Sequence, residues 1–301
     1  MIFRRIILLL SINMRYVWNT MRYRSKRFPQ QGATCIIFSR NRALQLEALI
    51  RSLEKFSKSP FKAIIQFSCS CNHRKSYDEL IEQFKPYANY TFIEEQTFSL
   101  TLKEVIQSLR TQYMFFLVDD QVFVKPFDIE NVLTMMNRNT FFSLRLGQSI
   151  TDFGIFERKL KPHYFINGNF LEWSWKLNKD QKDWGYQFSV DGTIYRTIDV
   201  LCGTMSIPFK APNSFEDNMN SVCLFRGDNR GISYQSPVVI NLIINASRQE
   251  KEYDNFESGE YSTDDMLKLW HSGMRFSLEK ISSIVFHSTH YIIKDINNII
   301  S

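Results

Sequence analysis

Short apolar runs alternate with helically spaced apolar residues over the first half of the chain. Apolar runs predict strands at 34–38, 61–67, 90–93 and 113–118, and apolar residues three or four positions apart predict helices at 46–56, 77–84 and 102–109. Strands that alternate with helices are typical of βαβ units, and continuously apolar strands are typical of a parallel sheet buried on both faces. The sequence therefore predicts an α/β fold with a mostly parallel central sheet flanked by helices.

The second half of the chain has a less regular pattern, in which helices are predicted near 189–197, 214–224 and 263–272. A link rich in helix breakers follows residue 28 and separates an N-terminal arm, residues 1–28, from a single domain over 29–301. Within that domain we predict a nucleotide-binding half, 33–127, and an acceptor half, 128–301.

The charge of the chain is concentrated in the arm. The formal net charge is +6, but the first 27 residues hold seven basic residues and no acid, which leaves 30 basic and 31 acidic residues for the rest. A nucleic-acid-binding domain carries its basic surface on the folded body. The nearly neutral body therefore argues against a nucleic-acid partner.

The arm also contains an apolar run, Ile6 to Leu10, which is too short to span a bilayer. Together with its arginines, the run predicts an amphipathic helix that rests on an anionic membrane surface. A helix packed on the domain and a frayed terminus are the alternatives. Five cysteines without a regular spacing indicate reduced thiols. We therefore expect a cytoplasmic protein, at the inner membrane surface where the arm binds it.

Two polar clusters follow the first and fourth predicted strands. They are Ser39, Arg40, Asn41 and Arg42, and then Asp119, Asp120 and Gln121. The carboxyl ends of parallel strands meet at one edge of a sheet, where ligands bind in this class of fold. Carboxylates suit a hard divalent cation, and arginines suit phosphate. The combination predicts a site for a nucleotide diphosphate with a bridging metal.

Residues 35–53 resemble the opening strand, nucleotide loop and first helix of GT-A-type glycosyltransferases of the family 2-like kind, and residues 116–123 resemble their aspartate metal motif. The resemblance covers about residues 33–127. It implies that Ser39, Arg40, Asn41, Arg42 and Asp119 bind the nucleotide, with Arg40 or Arg42 on phosphate. It also implies that Asp119 and Asp120 bind Mn²⁺ or Mg²⁺. The usual motif is Asp-x-Asp, so Gln121 in third place leaves either Asp120 as chief ligand or a weakened metal site.

The acceptor half contains the candidate catalytic acids, Glu216 and Asp217. Asn213 or Ser214 is expected to cap a helix there, which would put both acids in its first turn and keep them ionised. Such an acid accepts the proton of an acceptor hydroxyl, and the segment resembles the acidic pair of inverting family members. Asp191 is a lesser candidate, which we expect to cap a helix instead.

Further candidates in the sequence are weaker. Some metal-dependent members of the GT-A fold recruit a late histidine, and His290 is the candidate here. Trp173, Trp175 and Trp184 suit either sugar stacking or the core. Cys69, Cys71 and His73 alternate like zinc ligands, but no second cysteine pair lies nearby to complete a structural site.

The sequence thus predicts a metal-dependent glycosyltransferase for glycan or polysaccharide synthesis. Its donor would be a UDP- or GDP-linked sugar, and its acceptor a glycan, a lipid carrier or a protein. A sugar-nucleotide pyrophosphorylase is an alternative, which the absence of glycine from residues 39–43 disfavours. A catalytically inactive nucleotide- or carbohydrate-binding module is another, because Gln121 replaces an acid.

Overall fold

The structure is a computed structural model that describes residues 2–153, 158–245 and 261–301. The α-helices of these residues are α1 (Ile2–Arg22), α2 (Ala43–Phe56), α3 (Arg74–Phe84), α4 (Phe98–Ser108), α5 (Ile129–Thr134), α6 (Thr197–Thr204), α7 (Pro212–Met219), α8 (Thr263–His271) and α9 (Leu278–Ser282). The β-strands are β1 (Gln30–Arg40), β2 (Lys62–Ser68), β3 (Tyr90–Glu94), β4 (Thr111–Val118), β5 (Gln121–Phe123), β6 (Thr140–Ser143), β7 (Asp152–Phe153), β8 (Arg158–Lys159), β9 (Phe165–Asn167), β10 (Phe170–Ser174), β11 (Thr193–Arg196), β12 (Arg230–Tyr234), β13 (Val239–Ile243) and β14 (His290–Ile292).

Nine strands in the described ranges form the central sheet, in the order β3-β2-β1-β4-β11-β6-β12-β10-β9. The pairs β3–β2, β2–β1, β1–β4 and β6–β12 are parallel. Only β11 and β10 run against the others, so seven of these nine strands point in one direction. The predicted α/β fold class, with a mostly parallel central sheet, is confirmed.

The central strands are buried on both faces, as their continuous apolar sequences predict. Successive residues of a strand point to opposite faces. On β1, Cys35 and Ile37 belong to the core on one side of the sheet, and Ile36 and Phe38 belong to the core on the other. Helices α2 and α3 contribute to the first core, and α4, α6 and α7 contribute to the second. This packing fixes the carboxyl ends of β1 and β4 beside each other, with Phe38 paired to Val118.

A second, three-stranded sheet has the order β14-β13-β5. Strand β5 begins directly after Asp120, and β14 comes from the C-terminal part of the chain. In the register of this sheet, Asn241 pairs with Gln121 on one side and with His290 on the other. The small sheet therefore places His290 two strands away from Gln121, the residue that follows the two aspartates.

The N-terminal arm forms α1, which packs one face against the domain. Ile12 is fully buried, and the amide of Asn19 donates to the Ser206 hydroxyl over 3.0 Å. Asn13 accepts from the backbone N–H of Cys223 at 2.7 Å. No helix in the described part of the chain is long and apolar enough to span a bilayer. The arm is thus a helix attached to the domain.

The helix predicted at 189–197 is wrong. Residues 190–192 form a turn, Thr193–Arg196 is β11, and α6 begins only at Thr197. Gly192 has a φ of +78°, which breaks a helix at this point. The β-branched Thr193 and Ile194 then pair with β6, and Ile194 also pairs with β4. Strand pairing in the sheet overrides the local apolar spacing.

Candidate functional site

The two sequence clusters meet at the carboxyl ends of β1 and β4. The Ser39 hydroxyl and the backbone N–H of Arg40 each donate to Asp119 Oδ2 over 3.0 Å. Arg42 donates from Nη1 to Asp119 Oδ1, also over 3.0 Å. Asp119 thus accepts two hydrogen bonds from the last two residues of β1 and one from Arg42, just after the strand. The expected meeting of these residues at one sheet edge is what the structure has.

Arg42 is a buried cation whose two terminal nitrogens donate to oxygen atoms of the protein. Its side chain is only 9% exposed, and it also lies 3.4 Å from Asp120 Oδ2. Its second terminal nitrogen donates to the backbone oxygen of Asn245. Arg40, by contrast, is exposed at the end of β1. Arg42 is therefore occupied within the protein, and Arg40 is the arginine of this loop whose side chain faces solvent.

Asn41 and Tyr77 hold the loop in place. Asn41 has a φ of +56°, in the left-handed region that asparagine tolerates better than most residues, and its side chain accepts from the N–H of Ser70. The buried Tyr77 hydroxyl bonds the Ser39 hydroxyl at 2.6 Å and accepts from the backbone N–H of Arg42. The sequence indicated Tyr77 only as an apolar helix position, because the partner of its hydroxyl is distant in sequence.

Asp120 is the acid of the motif with spare capacity to bind a ligand. Its side chain is 21% exposed, yet Oδ1 is buried and has no hydrogen-bond partner among the described residues. Burial, together with the charges of Asp119 and Asp191, raises the pKa of Asp120 to about 7 in spite of Arg42. A carboxylate oxygen that lacks a donor and repels its neighbours suits a cation. The residues present therefore fit a divalent metal through Asp120.

A second buried arginine, Arg145, follows β6 and joins two acids of the later part of the chain, Asp183 and Asp191. It lies 3.2 Å from Asp183 and 3.1 Å from Asp191. Asp183 also accepts from the Thr289 hydroxyl at 2.7 Å. Asp191 therefore does not cap a helix, contrary to the expectation, but faces inward in an ion pair. Sequence reasoning missed Arg145 and Asp183, since neither belongs to a motif.

Glu216 and Asp217 lie in different surroundings. Helix α7 begins at Pro212, so both acids are beyond its first turn, and the expected placement near the helix start is wrong. Ser214 lies inside the helix, where its hydroxyl accepts from the N–H of Ala211.

Glu216 accepts from the N–H of Val190 at 3.2 Å, whereas Asp217 is exposed and accepts from the Tyr186 hydroxyl. Burial and the charge of Asp191 raise the pKa of Glu216 to about 8, partly offset by Arg145. Glu216 therefore lacks the expected support of the helix dipole, since it is a partly buried acid beyond the first turn and faces another carboxylate.

His290 lies beside the Arg145–Asp191 ion pair. Its Nε2 is 3.9 Å from Asp191 Oδ2, and its Nδ1 is 3.0 Å from the Thr289 hydroxyl. Gln121 is fully buried, and it uses its amide at both ends: Oε1 accepts from the N–H of Val118, and Nε2 donates to Asn241. Gln121 thus joins the two sheets. No group of three or more metal-binding side chains is preassembled among the residues the structure describes.

The remaining sequence candidates lie elsewhere. Trp173, Trp175 and Trp184 are buried against one another, with ring centroids about 5 Å apart, 5.0 Å from Trp173 to Trp175 and 4.9 Å to Trp184. They belong to the core. Cys71 and His73 lie in a short 3₁₀-helix, not on one face of a strand.

No family model matches the chain, but a curated glycosyltransferase does. The sequence is 26% identical over 306 residues to the bifunctional glycosyltransferase pgtA of Dictyostelium discoideum, and the match covers 88% of this chain. The resemblance to glycosyltransferases is confirmed. The chain is related to an enzyme of the transferase class. It spans 39% of the length of that relative, so the activity and substrates of the whole relative do not transfer with the match.

Solved structures of similar arrangement are more distant. TarS 1-349 of S. aureus, also solved in complex with UDP, is 16% identical with a TM-score of 0.45, over 68% of this chain and 58% of that chain. The mannosyltransferase PcManGT from Pyrobaculum calidifontis, in complex with GDP-Man and Mn²⁺, is 12% identical with a TM-score of 0.31, over 48% of this chain and 46% of that chain. At these scores the likeness carries no argument about ligands or activity.

Proposed function

We propose that the chain is a metal-dependent glycosyltransferase that moves a sugar from a nucleotide-diphospho-sugar to a hydroxyl acceptor in glycan or polysaccharide synthesis. The observation that carries this proposal is the meeting of Arg42, Asp119 and Asp120 at the carboxyl ends of β1 and β4. Ligands of parallel sheets bind at such an edge. The relationship to a glycosyltransferase supports the reaction class.

The metal in this proposal is Mn²⁺ or Mg²⁺, and Asp120 is its chief ligand through Oδ1. Asp119 and His290 are the further candidates from the sequence. The oxygens of Asp119 already accept from Ser39, Arg40 and Arg42, which favours a role for Asp119 in holding the nucleotide loop. When bound, the cation neutralises the charge that develops on the departing nucleoside diphosphate.

The nucleotide in this proposal lies against the loop of Ser39, Arg40, Asn41 and Arg42, beside Asp119, in the nucleotide-binding half 33–127. Arg40 is the residue best suited to a phosphate, because it is exposed at the strand end and a guanidinium fork matches phosphate oxygens. Arg42 orients the two aspartates instead. UDP- and GDP-linked sugars are the expected donors.

Glu216 is the proposed general base, with Asp217 as the less suited alternative. A base works best when its pKa lies near the working pH, and the pKa of Glu216 is raised to about 8. Its carboxylate would take the proton of the attacking hydroxyl, and Arg145 would then face one negative charge fewer. The acceptor, a glycan, a lipid carrier or a protein, would enter from the acceptor half 128–301.

The proposed location is the cytoplasm, at the inner surface of a membrane. The five cysteines are free thiols, and Cys71 and Cys223 are exposed, which suits a reducing compartment. The basic arm supplies the contact with the membrane in this proposal.

The test is a scan of UDP- and GDP-sugars with Mn²⁺ for release of nucleoside diphosphate, with the wild type beside Asp120→Asn. Glu104→Gln, an exposed acid on α4, is the matched control. We expect release by the wild type and the control, and loss of about a hundredfold or more for Asp120→Asn. Nucleotide binding that needs metal but never leads to turnover, with acceptors of all three classes supplied, would refute the transferase and favour the binding module.

A further inference from the structure

Helix α1 has a second apolar face that the domain does not cover. Fourteen large apolar side chains are exposed among the described residues, and eight of them lie on α1. Seven of the eight fall within an arc of about 120° at 100° per residue. These seven, called here the outer face, are Ile6, Ile7, Leu10, Met14, Val17, Trp18 and Met21, each between 47% and 69% exposed.

The outer face lies opposite the side of α1 that contacts the domain. The contact side holds Ile12 and Asn19, which are buried, with Tyr16 packed beside them. At 100° per residue its centre is about 170° from the centre of the outer face. A helix that needs only to pack on its domain would carry polar residues on the outer side. An apolar stripe of this length in solution normally marks an interface.

The border of the outer face is cationic. Arg15 and Arg22 are exposed and project about 40° to 60° from its edge, and the guanidinium of Arg22 lies 5.2 Å from the Trp18 ring. Arg24 and Arg27 follow, both exposed. No acid occurs in the first 27 residues. A partner that complements this surface is apolar in its interior and negatively charged at its boundary.

We propose that α1 is an interfacial helix that inserts its outer face into an anionic lipid leaflet, while its inner face stays bound to the domain. Apolar side chains enter the acyl boundary, arginines bind lipid phosphates, and Trp18 occupies the headgroup level. A second copy is a poorer occupant, because pairing through this face would bring two arginine borders together. The inference deepens the membrane location proposed above, and it does not depend on the chemistry of the site.

The experiment is co-sedimentation of the purified chain with phosphatidylcholine vesicles, with and without phosphatidylglycerol. We expect binding to the anionic vesicles. Met14→Ser with Val17→Ser should weaken it about tenfold or more, since both side chains leave the lipid. Arg15→Gln and Arg22→Gln should each weaken it about fivefold on anionic vesicles. Because all four side chains are exposed, these variants should keep the urea unfolding midpoint of the wild type.

Leu177→Ser is the matched control, because Leu177 is 71% exposed but lies outside α1. The proposal is overturned if the wild type ignores anionic vesicles, or if Leu177→Ser weakens binding as much as the α1 variants. It is also overturned if sedimentation velocity finds a dimer that the α1 variants dissociate, which would make a second copy the occupant. Donor turnover is measured separately without vesicles, so that vesicle binding without turnover contradicts the proposed reaction and leaves the inference intact.

Discussion

Replacing Glu216 by glutamine tests the electrostatics around Asp191 and Arg145. The fold raises the pKa of Glu216 from 4.5 to about 8, first through burial and then through the charge of Asp191. At a pH below 4.5 the acid is protonated in both the native and the unfolded state, so it costs nothing. As the pH rises towards 8, only the unfolded state gains the benefit of ionisation. Above 8 the native state holds a destabilising charge in full.

The size of the effect follows from the pKa. A rise from 4.5 to about 8 corresponds to about 5 kcal/mol as an upper limit. Glu216 is only partly buried, and solvent screens part of this, so we expect about 2 kcal/mol. Glutamine keeps the oxygen that accepts from Val190, and its amide can donate to Asp191. Glu216→Gln should therefore be more stable than the wild type by about 2 kcal/mol near pH 9, and equal to it near pH 4.5.

Urea unfolding of both proteins at the two pH values, with EDTA present, measures this difference. Asp217→Asn is the control, because Asp217 is exposed and should change the free energy of unfolding by less than about 0.5 kcal/mol. The reasoning is refuted if Glu216→Gln is the less stable protein near pH 9, or if the difference is the same at both pH values. The same variant should lose about 10²- to 10⁴-fold in transfer if Glu216 is the base.

Three further substitutions have defined outcomes in urea unfolding. Gln121→Asp, which restores the common acidic motif, should lower the free energy of unfolding by about 2–4 kcal/mol, because Gln121 is fully buried and its amide donates to Asn241. It should not tighten Mn²⁺ binding, and a gain in Mn²⁺ affinity would contradict this. Arg145→Met should lower the free energy of unfolding by about 3–5 kcal/mol, since it leaves the buried Asp183 and Asp191 without the arginine between them. An unchanged urea midpoint would mean that these two carboxylates are not buried. Gly231→Ala should lower the free energy of unfolding by about 2 kcal/mol or more, because the new Cβ would lie 2.1 Å from the Trp173 ring. An unchanged stability would show that the Trp173 ring moves freely.

The meeting of the two polar clusters at the ends of β1 and β4 was predictable from sequence because its signals are local. Apolar runs locate β1 and β4, and in a parallel sheet the residues after adjacent strands must come together. Asp119 and Arg42 are 77 positions apart and still meet at 3.0 Å. The pairing inside the loop was less accessible. Sequence reasoning left open whether Arg40 or Arg42 binds phosphate, whereas in the structure the buried Arg42 guanidinium binds the two aspartates and Arg40 is exposed.

Residues 128–301 were less predictable because their contacts are long-range and their strands are short. A four-residue strand such as β11 is too short to show the two-residue alternation of a strand. The sequence pattern over the turn at Gly192 and the strand after it therefore predicted a helix. Arg145 and Asp183 have no neighbouring motif residue. Their ion pair exists only because β6 and the 3₁₀-turn Lys182–Gly185 are brought together by the fold.

The two halves of the site use the same arrangement, one buried arginine between two carboxylates. Arg42 lies between Asp119 and Asp120, and Arg145 lies between Asp183 and Asp191. In each half one positive charge faces two negative charges, so each half keeps a net negative charge when its acids are ionised. Asp191 is near enough to raise the pKa of Asp120, which means that the surplus charges of the halves repel each other. A cation bound at Asp120 would lower that repulsion, and removing it would then destabilise the Asp183–Arg145–Asp191 cluster as well as the end of β4.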